Sequence, residues 1–83
     1  MGKLNGQVAI VTGGSSGIGR ESALLFAQEG ARVVIADIVE EAGQETADLI
    51  GEDAFFIKVD VSNWHDVERM AHETMERFGR LDR

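Results

Sequence analysis

Two kinds of hydrophobic pattern alternate along this sequence. Short, nearly continuous apolar runs occur at residues 8–11 (VAIV), 32–38 (RVVIADI) and 54–61 (AFFIKVDV), and read as strands buried on both faces. Between and after them, apolar residues recur at helical spacing. Residues 18–29 predict a helix with Ile18, Ala23, Leu25, Phe26 and Ala27 toward a sheet and Arg20, Glu21, Gln28 and Glu29 outward, closed by Gly30. Residues 40–50 predict a second helix, interrupted by Gly43 and closed by Gly51, with Ala42, Thr46, Leu49 and Ile50 as its inner stripe. The strongest stripe is the last: Trp64, Val67, Met70, Ala71, Thr74, Met75 and Phe78, capped by Ser62 and stopped by Gly79.

The order is β-α-β-α-β-α. Right-handed crossovers join such strands in parallel, so the expected fold is α/β, three-layered, with sheet order 3-2-1: half of a Rossmann-type nucleotide-binding domain. The same handedness sends the first two helices to one face of the sheet and the third to the other.

The junction of the first strand and first helix carries the chemistry. It reads TGGSSGIG, with Gly13, Gly17 and Gly19 at G-x-x-x-G-x-G spacing and hydroxyls at Ser15 and Ser16. Glycines here permit a sharp reversal, backbone approach to a pyrophosphate and close packing of helix on strand, and the amides that begin the helix favour anions. No Lys follows the last glycine, so the turn is not a Walker phosphate loop. An acidic residue, Asp37, stands eighteen residues after Gly19 at the end of the second apolar run, where a carboxylate can bond a ribose.

With 83 residues the chain makes one small domain, and its charge of -7 argues against nucleic acid as a partner. There is no Cys, hence neither a disulfide framework nor a thiolate metal site. His65 and His72 stand seven apart without a third ligand at suitable spacing, so no metal is expected. No apolar run approaches a membrane span, and a cytoplasmic setting is expected.

These residues resemble the short-chain dehydrogenases and reductases. TGGSSGIG at 12–19, AD at Ala36 and Asp37, DV at Asp60 and Val61, and FGRLD at 78–82 all fall in register with that family's nucleotide half. The resemblance implies that Gly13, Ser15, Ser16, Gly17, Ile18 and Gly19 cradle the pyrophosphate and adenosine side of NAD. It implies that Asp37 takes the adenosine ribose, that Asp60 meets the adenine amino group and that Val61 packs on the ring. Neither Ser16 nor Ile38, beside the acid, supplies a cation for a 2′-phosphate, so NAD is favoured over NADP.

The resemblance also implies a departure. The family's Tyr-x-x-x-Lys pair, Ser and Asn lie beyond the stretch matched here, and this sequence has no Tyr, with Lys only at Lys3 and Lys58 and Asn only at Asn5 and Asn63. Residues 1–83 are therefore expected to be the N-terminal half of a dinucleotide-binding domain, stopping before the fourth strand, with no catalytic residues and no turnover of its own. The full-length parent would transfer hydride between NAD and an alcohol or carbonyl. Two other readings stand beside this. A half-domain could be a self-associating structural module without a ligand, pairing residues 8–11 with a second copy across a two-fold axis. A methyltransferase also places a glycine turn after its first strand and an acid after its second.

Overall fold

Each apolar run forms a strand and each periodic stretch a helix. The computed structural model describes residues 6–13 and 17–79. In it the chain runs β1 (Val8–Thr12), α1 (Gly17–Gln28), β2 (Arg32–Asp37), α2 (Glu40–Ile50), β3 (Ala54–Lys58) and α3 (Trp64–Phe78). The strands are parallel in the order β1-β2-β3, the predicted 3-2-1 read from the other edge.

The pleat sends alternate side chains to opposite faces. Ala9, Val11, Val33 and Ile35 pack with Ala23 of α1 and Ala47 of α2, while Val8, Val34, Ala36, Phe55 and Ile57 pack with Met70 of α3. Two helices thus cover one face and the third covers the other, as the crossover rule requires. β1 bonds to β2 along one side, and among the described residues no strand pairs with its other side. Among the described residues, too, no helix is long and apolar enough to cross a membrane.

Several expected faces are corrected. On α1, Ala23 is buried with Phe26 and Ala27 packed beside it, but Ile18 is 83% exposed and Leu25 also faces solvent. Arg20 does not point outward into water. Its Nε donates to Thr46 Oγ1 at 2.9 Å and its Nη2 to the Ala42 carbonyl at 3.4 Å, and it pairs with Glu45 at 2.9 Å, tying α1 to α2. The inner line of α2 is Gly43, Thr46 and Ala47, with Leu49 exposed. Gly43 does not interrupt this helix: its missing side chain lets the backbone lie against the Phe56 ring, which turns Leu49 away from the sheet. On α3 Met70 and Thr74 are buried, while Trp64 is 69% exposed and Met75 is also exposed, because the three-stranded sheet is too narrow for so wide a stripe.

Two boundaries move for stated reasons. β3 ends at Lys58, not at Val61, because its last ladder partner is Asp37, the final residue of β2. The cap of α3 is Asn63, whose Oδ1 accepts from the amides of His65 at 3.0 Å and Asp66 at 3.4 Å, not Ser62, whose hydroxyl is engaged elsewhere. The end of α1 is as expected. Gly30 takes φ 92°, its amide donates to the Ala27 carbonyl and that of Ala31 to the Phe26 carbonyl, both at 3.0 Å, which closes the helix as a Schellman motif.

A candidate nucleotide cleft at the carboxyl ends of the strands

Ligand sites in parallel α/β sheets form where the strands end and the chain turns into the next helix. Here that edge holds a cleft of about 340 Å³ lined by Thr12, Gly13, Ala36, Asp37, Ile38, Val59, Asp60 and Val61, two or three residues from the end of each strand. The sequence singled out Gly13, Asp37, Ile38, Asp60 and Val61, and all five line it. Gly17, Ile18 and Gly19 occupy the first turn of α1, outside this lining. Ser15 and Ser16 lie outside the described residues, as do Arg80, Leu81 and Asp82 of the C-terminal match.

Gly13 begins the reversal after β1. Its φ of 71° is one that L side chains rarely adopt, and its amide donates to the Ala36 carbonyl at 2.9 Å, fixing the turn to the end of β2. One residue on from that carbonyl, Asp37 Oδ1 accepts from the amides of Ile38 at 2.7 Å and Val39 at 3.1 Å. This Asx-type turn takes the chain from strand into α2 and locks the carboxylate at the rim.

The third wall follows β3. The Val59 amide donates to the Asp37 carbonyl at 2.9 Å, which sets the segment after β3 against the end of β2. Asp60 Oδ1 accepts from the Ser62 hydroxyl at 2.6 Å and the Ser62 amide at 3.0 Å. The Ser62 hydroxyl first, and then its amide, hold the Asp60 carboxyl below the usual carboxylate range, outweighing a small opposing desolvation. Asp60 is thus an anion and an acceptor at neutral pH. Two unusually exposed apolar side chains, Ile38 at 57% and Val61 at 62%, line the same cleft as the two carboxylates.

The arrangement is chemically specific. The apolar side chains can pack on a flat ring, the carboxylates can accept from hydroxyl or amino hydrogens, and among the described residues no cation lines the cleft to hold a phosphate ester. Such a set of acceptors and apolar walls has the chemistry to take a nucleoside. The sequence reading missed Thr12, Ala36 and Val59, which line the cleft through the strand ends. It also missed Ser62 as the partner of Asp60, although its spacing two residues after an acid is the signal for such a turn.

Comparison with known proteins places these features in a family. A family model described as short chain dehydrogenase matches residues 7–83. The chain is 49% identical over 81 residues to short-chain dehydrogenase reductase 3b of Arabidopsis thaliana, covering 96% of this chain and 32% of that protein. Tropinone reductase-like 1 of Erythroxylum coca is also 49% identical, over 80 residues. Among solved structures, a short-chain dehydrogenase/reductase from Burkholderia phymatum in complex with NAD superposes with a TM-score of 0.90 at 36% identity, over 98% of this chain and 30% of that one. A hydroxysteroid dehydrogenase from Escherichia coli gives 0.90 at 35% identity, over 95% of this chain and 34% of that one. The chain therefore spans about a third of the length of the relatives it matches. With the glycine turn, the acid after β2 and the parallel half-sheet all in the family's register, this chain belongs to the short-chain dehydrogenases.

Proposed function

We propose that the cleft binds NAD through its adenosine half, and that residues 1–83 are the cofactor-binding N-terminal part of an oxidoreductase that works in the cytoplasm. In this reading Asp37 accepts the ribose hydroxyls, Asp60 the adenine amino group, and Ile38 and Val61 sandwich the ring. Gly13, Ser15, Ser16, Gly17, Ile18 and Gly19 take the pyrophosphate at the start of α1. Bound NAD supplies a hydride acceptor, and the whole enzyme would move hydride between it and an alcohol or carbonyl. These 83 residues contain no Tyr to act as the family's proton donor, so they bind without turning over substrate.

The observation that carries the reading is the anchored carboxylate of Asp37 at the rim of a cleft with apolar walls. Calorimetric titration with NADH tests it. Saturable heat is expected, weaker with NADPH, because a carboxylate at this place repels a 2′-phosphate. Asp37→Ala should weaken NADH about 10- to 100-fold, the loss of hydrogen bonds to a charged group at roughly 1.5–3 kcal/mol. Asp37→Asn keeps an acceptor for the Ile38 and Val39 amides and so isolates the charge: it should narrow the gap between NADH and NADPH. Flat traces from the folded chain would overturn the proposal.

One observation favours a second property. β1 is an edge strand, with no strand paired to its outer side among the described residues, and such edges pair readily. The isolated chain is expected to dimerise along residues 8–11, and sedimentation velocity would show a dimer boundary growing with concentration. A folded monomer at every concentration would rule this out.

A further inference from the structure

We infer that Asp66, backed by Arg69, is the positioning residue that sets Asp60 and Val61 into the cleft; the inference rests on the adenine reading of the cleft given above. The segment after β3 keeps one bond to β2, from the Val59 amide to the Asp37 carbonyl, and has no ladder beyond it, since β2 ends at Asp37. The rest of its hold comes from α3. Asp66 Oδ2 accepts the Asp60 amide at 3.0 Å, and Arg69 Nη2 donates to the Lys58 carbonyl at 2.8 Å. These two bonds bracket the departure of the chain from β3. They are also linked to each other, Arg69 Nη2 standing 3.5 Å from Asp66 Oδ1, while Arg69 Nη1 is braced by Glu73 at 3.3 Å.

The placement of Asp66 is not that of an ordinary first-turn acid. Three residues after the Asn63 cap, a carboxylate commonly turns back to the cap residue's own amide. Here the Asn63 amide donates instead to the Asp60 carbonyl at 2.9 Å, which leaves Asp66 to reach the Asp60 amide. Asp60 is then fixed on both sides of its Cα: its amide by Asp66 and its carbonyl by Asn63. Its side chain, steadied by Ser62, can point in only a narrow range of directions. Neither Asp66 nor Arg69 lines the cleft, so both act on a ligand only through Asp60 and Val61.

The test compares NAD with nicotinamide hypoxanthine dinucleotide, in which a carbonyl replaces the adenine amino group. Binding of both is measured by calorimetry, and exchange of the Asp60 amide hydrogen is followed by NMR without ligand. The wild-type chain is expected to prefer NAD by about tenfold, the contribution of one charge-assisted hydrogen bond. Asp66→Ala should bring the two ligands to within about twofold and speed Asp60 amide exchange by more than about tenfold, with Asp66→Asn restoring both because its amide oxygen can still accept. Arg69→Gln should move both readouts the same way by a smaller amount. A merely structural role would weaken both dinucleotides alike and leave their ratio unchanged, and that result overturns the inference. If the wild-type chain bound neither dinucleotide, the nucleotide reading would fall, and Asp60 amide exchange would decide the positioning role alone: unchanged exchange in Asp66→Ala refutes it, accelerated exchange supports it.

Discussion

Ile35→Ala is expected to destabilise the chain by about 3 kcal/mol, within the range of roughly 2–5 kcal/mol found for large-to-small changes at buried aliphatic positions. Ile35 is fully buried in β2, the central strand, facing the layer formed by α1 and α2. The helices are held by their own hydrogen bonds to each other and cannot collapse freely into the hole. A domain of this size has roughly 5 kcal/mol or a little more in total, so the variant should be substantially unfolded under mild conditions. Urea unfolding followed by circular dichroism measures it. Leu49→Ala is the control, because Leu49 is exposed on α2 and should shift stability by no more than about 0.5 kcal/mol. Equal midpoints for the two variants would mean that the packing described for β2 is wrong.

The second large effect belongs to Gly43. A β-carbon built there falls on the Phe56 ring, so Gly43→Ala should cost about 1–3 kcal/mol by overpacking. Its cause can be isolated by a double-mutant cycle. In the background of Phe56→Ala the obstruction is gone, and Gly43→Ala should instead stabilise by up to about 1 kcal/mol, the gain in helix propensity. A change of sign between the two backgrounds is the signature of this contact. If Gly43→Ala stabilises in both, α2 does not rest on the ring.

The alternation of strands and helices was legible because buried parallel strands and amphipathic helices have different periods; the sheet order followed from reading that alternation as half of a doubly wound fold, and crossover handedness then assigned the helices to faces. Which flank of a helix would be covered was not. Ile18, Leu49, Trp64 and Met75 continue helical stripes as regularly as Ala23 or Met70 do, and what each helix packs against decides among them. Gly43 shows the same limit: propensity marks it as a weakness in a helix, whereas contact with a residue in the next strand makes it a seat. The end of β3 depended on where its neighbour β2 stopped, a fact carried by another part of the chain.

The cleft was more legible than the packing. Gly13, Asp37, Ile38, Asp60 and Val61 lie at or within three residues of strand ends, so the strands together with the family's motifs picked them out. What escaped was the support, since Ser62 looked like a helix cap and is instead a partner of Asp60, while no pattern marked Asp66 or Arg69. Their roles arise from backbone groups of the segment after β3, and backbone groups leave no letter in a sequence.

The order β1-β2-β3 bears on how the chain can be assembled during synthesis. Each strand pairs only with the one made just before it. As the polypeptide leaves the ribosome from its N-terminus, every new strand and helix meets a surface that already exists, and none must wait for a distant segment. The outer side of β1 is different, for no strand among the described residues pairs with it. A further strand could be added there without displacing a strand already paired in sequence order.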